Sequence, residues 1–379
     1  MKILHVIPSL SGRDGGPSQA MVDIEAALAQ AGVQVTTATT RSHSDDDRLP
    51  ARDERVVRIV FDRWTRAYKI APGLAFWLWR NVKTFDIVHI HALFSFSSAA
   101  AAIVCRLRSA PYVVRPLGTL TRYGLTRRPR LKRLALALVD GPAARGAAFV
   151  HFTSRAECDE AQALNLALRA AIIPLGVRAP DIAPLEEGAG LGEDFTILFL
   201  SRLDPKKNVE ALIDALARLR VHGPPFVALV AGAGATTYVD ALKARAAACG
   251  VGERIVWLGH VEGARKAAAL AAADVFVLPS FSENFGIAAA EALSAGLPCV
   301  LGQGVAIADE IVAAGCGIAI APEAGALAAA LLRLATDAPA REAMSARARV
   351  FAQEQYGLAT MARRLVELYR TIIAESRRP

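Results

Sequence analysis

Short runs of β-branched residues alternate with alanine- and leucine-rich segments along most of this chain. This rhythm constrains the fold more than any other feature, because it is typical of parallel sheets whose strands are joined by helices. The predicted strands are Lys2–Ile7, Val33–Thr40, Val56–Phe61, Ile87–Ile90, Tyr112–Arg115, Phe149–Thr153, Phe195–Leu200, Val227–Ala231, Ile255–Leu258, Val275–Leu278 and Cys299–Leu301. The predicted helices include Pro17–Ala31, Leu74–Lys83, Ser95–Leu107, Arg155–Leu164, Asn208–Arg220, Thr237–Cys249, Glu262–Ala273, Ile287–Ala295 and Leu358–Ala374. We therefore expect an α/β protein built from doubly wound parallel sheets.

The rhythm weakens over residues 174–194, where prolines and glycines accumulate, and we interpret this segment as a linker. The domains expected on this basis are 1–178 and 195–356, followed by a final helical segment, 357–379. Two doubly wound domains in tandem imply a cleft between them. Ligands of such sheets bind outside the carboxyl ends of the strands, so binding residues are expected in the loops that follow strands.

The charge is distributed unevenly between the two halves. The chain carries 44 lysines and arginines against 36 acidic residues, a formal net charge of +8. Residues 1–180 hold 25 basic and 14 acidic residues, a net of +11, whereas residues 181–379 hold 19 and 22, a net of −3. The basic half could face nucleic acid, an anionic membrane or an acidic substrate. A hydrophobic content of 53% with 21% charged residues excludes wholesale disorder.

Cysteine usage and the first residues bear on the compartment. Five cysteines occur without any C-x-x-C spacing, whereas a secreted disulfide framework usually has an even, patterned set. Pro8 interrupts the first apolar residues too early for a signal peptide. The charge-free stretch Ile87–Cys105 is near the length of a membrane span, but it contains two histidines and three serines, which is unlike such a span. We expect a cytoplasmic protein that is soluble or attached to a membrane surface.

Two features of the first half follow predicted strands. Gly15 and Gly16 could let the backbone approach a ligand, and the N-terminus of the following helix favours an anion, although an ordinary flexible turn is the alternative. His89 and His91 lie on the same face of one strand. His91, at the carboxyl end, could donate a hydrogen bond to a sugar hydroxyl, whereas His89 is expected to be a satisfied buried histidine. No further ligand set is apparent nearby, so no metal site is expected.

A basic loop follows the first predicted strand of the second half. Arg202 lies at the strand end and Lys207 lies in the loop, where both could converge on a diphosphate. Arginine can bind such a group bidentately and lysine as a point charge. A solvated basic turn is the alternative. Asn208 is expected to be the N-cap residue of the next helix.

The most informative segment is 279–291, a loop that leads into a helix. Glu283 lies in the loop, where its carboxylate can reach a ligand. Glu291 lies about one turn into the helix and could bind two vicinal hydroxyls, as on a ribose. Solvation of the helix is the alternative for Glu291, but its neighbours are apolar, and a buried carboxylate needs a partner. Backbone amides at the start of a helix have no partner within the helix, so they can bind a phosphate or a sugar. Here these amides are expected to be those of Phe285, Gly286 and Ile287.

At these residues the sequence resembles the retaining glycosyltransferases of family 4, which have the GT-B fold. The matching elements are Ser201-Arg202-Leu203 with Lys207-Asn208, Gly259-His260-Val261, the Glu-x7-Glu spacing from Glu283 to Glu291, Ala295-Gly296-Leu297-Pro298 and, more loosely, Gly15-Gly16 and the His-x-His at 89–91. Asn284 stands where many members have glycine, and its neighbours match the family. The resemblance implies two Rossmann-like domains that face each other across a cleft, with a C-terminal helix that crosses back to the N-terminal domain.

The resemblance also implies a nucleotide-sugar donor held mainly by the C-terminal domain, and an acceptor on the N-terminal domain. It implies transfer with retention of the anomeric configuration, with no cofactor and no divalent metal. The implied site residues are Arg202 and Lys207 at the diphosphate, Glu283 and His91 at the donor sugar, Glu291 at the ribose, the backbone of Phe285, Gly286 and Ile287 at the sugar and phosphates, Gly16 beside Gly15 at the phosphate, and the backbone near Val261 at the base.

A basic stretch marks the expected acceptor side. Residues 87–139 contain nine arginines and lysines and no acidic residue, and residues 115–120 look like the family's acceptor-facing loop. We interpret residues 106–133 as a surface that attracts an anionic membrane carrying a lipid-linked glycan, with a solvated helix face as the alternative. Trp64, Trp77 and Trp79 could form an interfacial belt, but a helix packed on the N-terminal sheet is favoured.

Together these expectations describe a hexosyltransferase that uses a UDP- or GDP-linked sugar and a glycan or lipid-linked acceptor. It is expected to act in surface polysaccharide or glycolipid synthesis. Its expected location is the cytoplasm, or peripherally the inner face of the cytoplasmic membrane. One alternative is a sugar-nucleotide epimerase of the same architecture, but Lys207 and the Glu-x7-Glu spacing favour transfer. Another is a basic nucleic-acid-binding protein, but no zinc finger, groove-reading helix motif or aromatic RNA motif is apparent.

Overall fold

The computed structural model describes residues 1–12, 15–41, 48–65, 68–126, 128–180 and 194–376. The chain forms two compact units. The first combines Met1–Gly176 with Leu358–Pro379, and the second is Val177–Gly357. The first unit is therefore discontinuous in sequence. Of the predicted linker 174–194, residues 181–193 lie outside the described residues.

The first unit contains a seven-stranded sheet whose neighbouring strands are parallel. Its strands are β1 (Lys2–Ile7), β2 (Gln34–Arg41), β3 (Val57–Asp62), β4 (Ile87–His91), β5 (Tyr112–Arg115), β6 (Phe149–Phe152) and β7 (Ala170–Ile172). Their order across the sheet is β3-β2-β1-β4-β5-β6-β7. Because the order reverses between β1 and β4, the loops after these two strands lie at a topological switch point.

Helices connect these strands. They are α1 (Gly16–Gln30), α2 (Pro72–Asn81), α3 (Phe96–Leu107), α4 (Arg122–Thr126), α5 (Pro129–Ala135), α6 (Gly141–Arg145) and α7 (Arg155–Gln162), with a π-helical turn at Leu136–Asp140. Pro17 lies in the first turn of α1, where its missing N–H is not needed. The side chains of Ser95 and Ser154 cap α3 and α7 by accepting hydrogen bonds from Ser98 N and Glu157 N. The capping residues thus explain where these helices begin.

The last helix, α15 (Leu358–Ser376), belongs to the first unit and packs against α1. Its inward face is apolar, with Leu365 and Tyr369 fully buried. Arg169 and Glu375 form an ion pair of 2.7 Å at the surface beside it. The expected return of the C-terminal helix to the N-terminal domain is confirmed.

The second unit contains a six-stranded parallel sheet. Its strands are β8 (Phe195–Leu200), β9 (Phe226–Ala231), β10 (Ile255–Gly259), β11 (Val275–Leu278), β12 (Cys299–Gly302) and β13 (Gly317–Ile320). Its helices are α8 (Val209–His222), α9 (Thr236–Ala248), α10 (Gly263–Ala272), α11 (Ile287–Ala295), α12 (Ala308–Ala313), α13 (Ala324–Thr336) and α14 (Ala338–Tyr356). The strand order is β10-β9-β8-β11-β12-β13, so the switch point lies between β8 and β11.

The two doubly wound units confirm the predicted fold class, and the main differences are elements that the pattern did not show. The short edge strands β7 and β13 lack a β-branched run long enough to be recognised. The helices α12, α13 and α14 lie in an alanine-rich region without strand signals, where helix boundaries are hard to place. None of these elements carries a predicted site residue.

The tryptophans of the first unit divide between packing and exposure. Trp77 packs against Phe61 and Phe85 with ring centroids 5.9 and 6.2 Å away. Trp79 and Trp64 are 45% and 76% exposed. The favoured interpretation, a helix packed on the sheet, is therefore confirmed for Trp77 only. Within the described residues, no helix combines the length and the apolarity needed to cross a bilayer.

Candidate functional site

The topology of the second unit brings two predicted site loops together. The strands β8 and β11 are neighbours, and the loops that leave their carboxyl ends contain Lys207 and Glu283. Lys207 Nζ donates a hydrogen bond to Glu283 Oε1 and forms an ion pair with it. Ser280 Oγ donates to the same oxygen over 3.0 Å. The Lys207 and Glu283 side chains are only 11% and 15% exposed, so the pair is largely shielded from water.

The loop after β8 is ordered by its own backbone. Asp204 caps a short 3-10 turn at Pro205–Lys207, and its carboxylate accepts a hydrogen bond from Lys206 N over 3.0 Å. Asn208 occupies the position before α8 in a left-handed conformation, with φ of 58°. Asn208 is therefore the N-cap residue of α8, as predicted, although its side chain makes no capping hydrogen bond. Asn208 Nδ2 instead donates to the carbonyl oxygens of Pro279 (3.3 Å), in the loop after β11, and Pro322 (2.8 Å), in the loop after β13.

Positive charge is concentrated at this loop. Burial lowers the pKa of Lys206, the nearby charges of Lys207 and Arg202 lower it further, and Glu283 opposes the shift. The three cations Arg202, Lys206 and Lys207 outnumber the two carboxylates near them, Glu283 and Asp204, so the loop favours the binding of an anion. Lys206 was not among the predicted site residues, although its position beside Lys207 could have suggested it. Arg202 is exposed at the end of β8.

The backbone of Glu283 is fixed on both sides. Glu283 N donates to Gly304 O over 2.8 Å, and Glu283 O accepts from Ala306 N over 3.1 Å. Gly304 allows this close approach, because a Cβ atom there would lie 2.0 Å from Phe281 O. The segment after β12 therefore determines where the Glu283 carboxylate lies.

The amides predicted to be unpaired lie at the start of α11, as expected. Gly286 occupies the N-cap position with φ of 97°, which is typical of glycine, and no side chain caps the helix. Phe285 is buried and packs edge-on against Tyr356, with ring centroids 5.5 Å apart. Ile287 is the first residue of the helix. This arrangement is able to present N–H donors to a ligand.

Glu291 has a partner that was not predicted. Lys266 Nζ lies 2.8 Å from Glu291 Oε1, and the two side chains are 30% and 17% exposed. The apolar surroundings indicated that this carboxylate needs a partner, but they could not identify Lys266, which lies on the separate helix α10. Val261, predicted near a base, is buried beside the start of the same helix.

In the first unit, the predicted glycine loop and His91 follow the two strands of the switch point. Gly15 precedes α1 with φ of 69°, and Gly16 is the first, exposed residue of that helix. His89 is fully buried, and its Nδ1 pairs with Tyr369 over 2.7 Å, which confirms the satisfied buried histidine. His91 is also fully buried, at the carboxyl end of β4. Its contact with a sugar stays a prediction.

Two expectations about this unit require correction. No further ligand was expected near His89 and His91, but β1 places His5 beside them, and ligand atoms of the three rings lie within 4.8 Å of one another. The reason given against a metal site is therefore wrong, since strand pairing supplied a residue that is distant in sequence. Arg115, counted in the basic surface, is fully buried because it lies on β5 in register with His91.

Both units match models of known families. Residues 15–176 match the model described as a glycosyl transferase 4-like domain, and residues 186–351 match the model described as glycosyl transferases group 1. The chain is similar to solved structures across nearly its whole length. The Anabaena protein HepE in complex with UDP and glucose has a TM-score of 0.76 at 22% identity, covering 98% of this chain and 100% of HepE. The sucrose-phosphate synthase of Thermosynechococcus elongatus has a TM-score of 0.76 at 18% identity, covering 99% and 100%. These likenesses show the GT-B fold.

Curated relatives match at the sequence level. The phosphatidyl-myo-inositol mannosyltransferase of Mycobacterium leprae is 38% identical over 133 residues, 34% of each chain. The GDP-mannose:cellobiosyl-diphosphopolyprenol alpha-mannosyltransferase of Komagataeibacter xylinus is 24% identical over 329 residues, 85% of this chain and 81% of the relative. For the mycobacterial relatives, which include a glycogen synthase, the chain spans about a third to a half of their length.

Proposed function

Since the chain belongs to the family-4 glycosyltransferases of the GT-B fold, we propose that it is a retaining hexosyltransferase. It moves a hexose from a UDP- or GDP-linked sugar to a glycan or lipid-linked acceptor in surface polysaccharide or glycolipid synthesis. The observation that supports this most directly is the shielded Lys207–Glu283 pair at the switch point of the second sheet.

The cationic loop is suited to the donor diphosphate. Arg202 is exposed and free to form two parallel hydrogen bonds to phosphate oxygens, and Lys207 offers a compact positive charge. The amides of Phe285, Gly286 and Ile287 add neutral donors at the start of α11. These groups would supply the charge that a divalent metal supplies in other enzymes, so the proposed reaction needs no metal and no cofactor.

The two glutamates would bind the sugars of the donor. Glu283 accepts hydroxyl hydrogen bonds from the hexose, and its hydrogen bond from Lys207 orients the carboxylate. Glu291 binds the ribose hydroxyls with the oxygen that Lys266 leaves available. Gly15, Gly16, His91 and Val261 keep the roles that the family resemblance assigns to them, as proposals.

The proposed chemistry takes place on one face of the sugar. The bond from the anomeric carbon to the diphosphate oxygen breaks, and the bond to the acceptor oxygen forms on the same side. The acceptor proton passes to an oxygen of the departing diphosphate, which leaves as the nucleoside diphosphate. Arg202 and Lys207 stabilise the negative charge that develops on this leaving group, which is where preorganised donors lower a barrier most.

The relatives support a nucleotide-sugar donor but leave its base open. The K. xylinus relative uses GDP-mannose by its name, whereas HepE binds UDP. The M. leprae and K. xylinus relatives are both named as mannosyltransferases, which favours transfer over the epimerase alternative.

Donor binding is expected to raise the unfolding temperature. In a panel of UDP-, GDP- and ADP-linked sugars, one base should shift it by several degrees at saturating ligand, because a ligand that binds only the folded state stabilises it by mass action. The same shift should persist in EDTA if no metal is needed. Differential scanning fluorimetry measures both. A panel with no shift would contradict the proposal, and a shift abolished by EDTA would contradict metal independence.

We also propose that the basic stretch 106–133 and the turn after it attract the protein to an anionic membrane surface. Arg130 and Arg133 are exposed, and they are interleaved with exposed leucines. The leucines Leu131, Leu134 and Leu138 are 60%, 57% and 68% exposed. Exposed apolar residues between cations are typical of a segment that lies in the lipid interface. Arg115 is buried and takes no part, and Arg127 lies outside the described residues.

Reversing two of these charges is expected to weaken membrane binding. The Arg130→Glu/Arg133→Glu variant should bind vesicles of anionic lipid at least about tenfold more weakly, because each basic residue near such a surface contributes about 1 kcal/mol. Liposome flotation measures the bound fraction. The matched control is Arg145→Glu/Arg155→Glu, which changes two exposed arginines elsewhere in the same unit. Equal recovery of both variants and the unchanged protein, or equal recovery on neutral lipid, would refute the surface.

A further inference from the structure

One face of the first sheet is polar at its centre, where a sheet covered by helices is normally apolar. His5 on β1 is level with His89 on β4, and His91 on β4 is level with Arg115 on β5. His151 follows on β6. All five side chains are completely buried. A buried polar cluster of this size requires an account of its hydrogen bonds.

One part of this cluster is satisfied by the protein. His151 Nε2 lies 2.8 Å from Ile173 O, so it carries the proton, and its Nδ1 is an acceptor. His89 Nε2, 3.4 Å away, then donates to His151, and His89 Nδ1 accepts from the Tyr369 hydroxyl over 2.7 Å. Burial, together with neighbouring charges, lowers the pKa of both histidines, so the neutral rings assumed here are the expected ones.

The other part contains more donors than the protein can satisfy. His5 Nδ1 and His91 Nε2 share one hydrogen bond of 2.8 Å, and the remaining nitrogens, His5 Nε2 and His91 Nδ1, contact no protein partner among the described residues. Whichever ring donates, one of those two remaining nitrogens carries an N–H without an acceptor. All three guanidinium nitrogens of Arg115 also lack a protein acceptor within the described residues.

Among the residues that the structure describes, no carboxylate is hydrogen-bonded to Arg115. Glu157 is near enough to influence its pKa, but the Glu157 oxygens accept instead from Gly118 N (2.7 Å) and from Thr153 N and Oγ1 (both 2.9 Å). Arg115 in turn lowers the pKa of His5 and His91, where burial is the larger cause, so its positive charge acts on both rings. A buried guanidinium without a hydrogen-bonded acceptor is costly to maintain.

We propose that Arg115, His5 and His91 form a binding site for a small inorganic anion at the carboxyl ends of β4 and β5. The site offers an uncompensated cation and an excess of N–H donors, which complement a halide or a phosphate oxygen. The same charge opposes a divalent cation on His5, His89 and His91, even though those rings are close enough to hold one. His91 is the one residue that this site shares with the proposed donor site, where the family resemblance places the same ring at the hexose.

The test is the unfolding temperature of the full chain without substrates. At constant ionic strength, replacing sodium gluconate with sodium chloride or sodium phosphate should raise the unfolding temperature by about 5 °C at saturating anion. The chloride and phosphate arms distinguish a halide from an oxyanion. Arg115→Met should lose the anion-specific rise, whereas the control Arg145→Met, an exposed arginine of the same unit, should keep it.

A crystal of the unchanged protein soaked in bromide provides a second measurement that needs no variant. An anomalous peak within hydrogen-bonding distance of the Arg115 guanidinium is expected. The proposal is overturned if neither chloride nor phosphate stabilises the unchanged protein relative to gluconate. The proposal is also overturned if zinc raises the unfolding temperature and no anion does. It is overturned as well if the Arg115→Met variant keeps the anion-specific rise in unfolding temperature.

Discussion

Replacing Glu283 with glutamine is expected to lower kcat by about 100-fold or more, because a preorganised charged group at a reacting centre typically contributes that much. The glutamine keeps the size of the side chain and can still accept from Ser280 Oγ, but it removes the negative charge that pairs with Lys207. The charge of Lys207 is then no longer balanced, and the hexose loses a carboxylate acceptor. Initial rates of sugar transfer at saturating donor measure the effect.

Two controls separate catalysis from folding in this experiment. Glu253→Gln removes an exposed carboxylate from the same unit and should leave kcat unchanged. The Glu283→Gln protein should still gain stability from the nucleoside diphosphate, since Arg202 and the α11 amides are intact. A Glu283→Gln variant with unimpaired transfer would contradict the proposed role of this residue. Loss of both activity and nucleotide binding would instead indicate that the loop no longer folds.

Replacing Gly304 with alanine is expected to reduce both stability and activity. The new Cβ would lie 2.0 Å from Phe281 O and 2.6 Å from Phe281 C, which are backbone atoms that cannot rotate away. Relief requires the loop to move, at a cost of about 1–3 kcal/mol typical of overpacking. The same movement displaces the carbonyl that accepts from Glu283 N, so the carboxylate shifts as well. Urea unfolding and transfer rates measure the two effects.

The matched control for this substitution is Gly252→Ala. Its Cβ would meet Ala247 Cα at 3.5 Å, an ordinary contact, and Gly252 does not adopt a positive φ. The free energy of unfolding of Gly252→Ala is expected to lie within about 0.5 kcal/mol of that of the unchanged protein, as for most surface substitutions. If Gly304→Ala behaved like this control, the close packing of the two loops would not be what positions Glu283.

The predictions that succeeded rest on local signals. Alternating strand and helix patterns identified both doubly wound sheets. The loop residues Lys207 and Glu283 were each proposed from their own segment, and their roles stay predictions. Their direct contact depends on β8 and β11 being neighbours, which follows from the strand order and not from either segment alone. The sequence therefore indicated which residues to examine, and the topology showed which of them meet.

The residues that were missed share one property, which is that tertiary structure alone supplies their partners. Lys266 lies on a different helix from Glu291 and has no motif of its own. His5 sits within an otherwise apolar strand, where a single histidine carries no signal of a cluster. Arg115 ends a strand within a run of basic residues, so its charge suggested the surface, whereas strand pairing buries it.

The discontinuity of the first unit has a consequence for how the protein is made. The Tyr369 hydroxyl bonds to His89, 280 positions earlier in the chain, so this unit cannot be completed until α15 has been synthesised. The second unit, Val177–Gly357, is fully translated before then and is able to fold first. At about 5–20 residues per second, the nascent first unit waits on the order of 10–40 s with one flank uncovered. Deleting α15 should therefore impair folding of the first unit and leave folding of the second unit unchanged. The surface that α15 covers is also where a chaperone acting on the ribosome would bind.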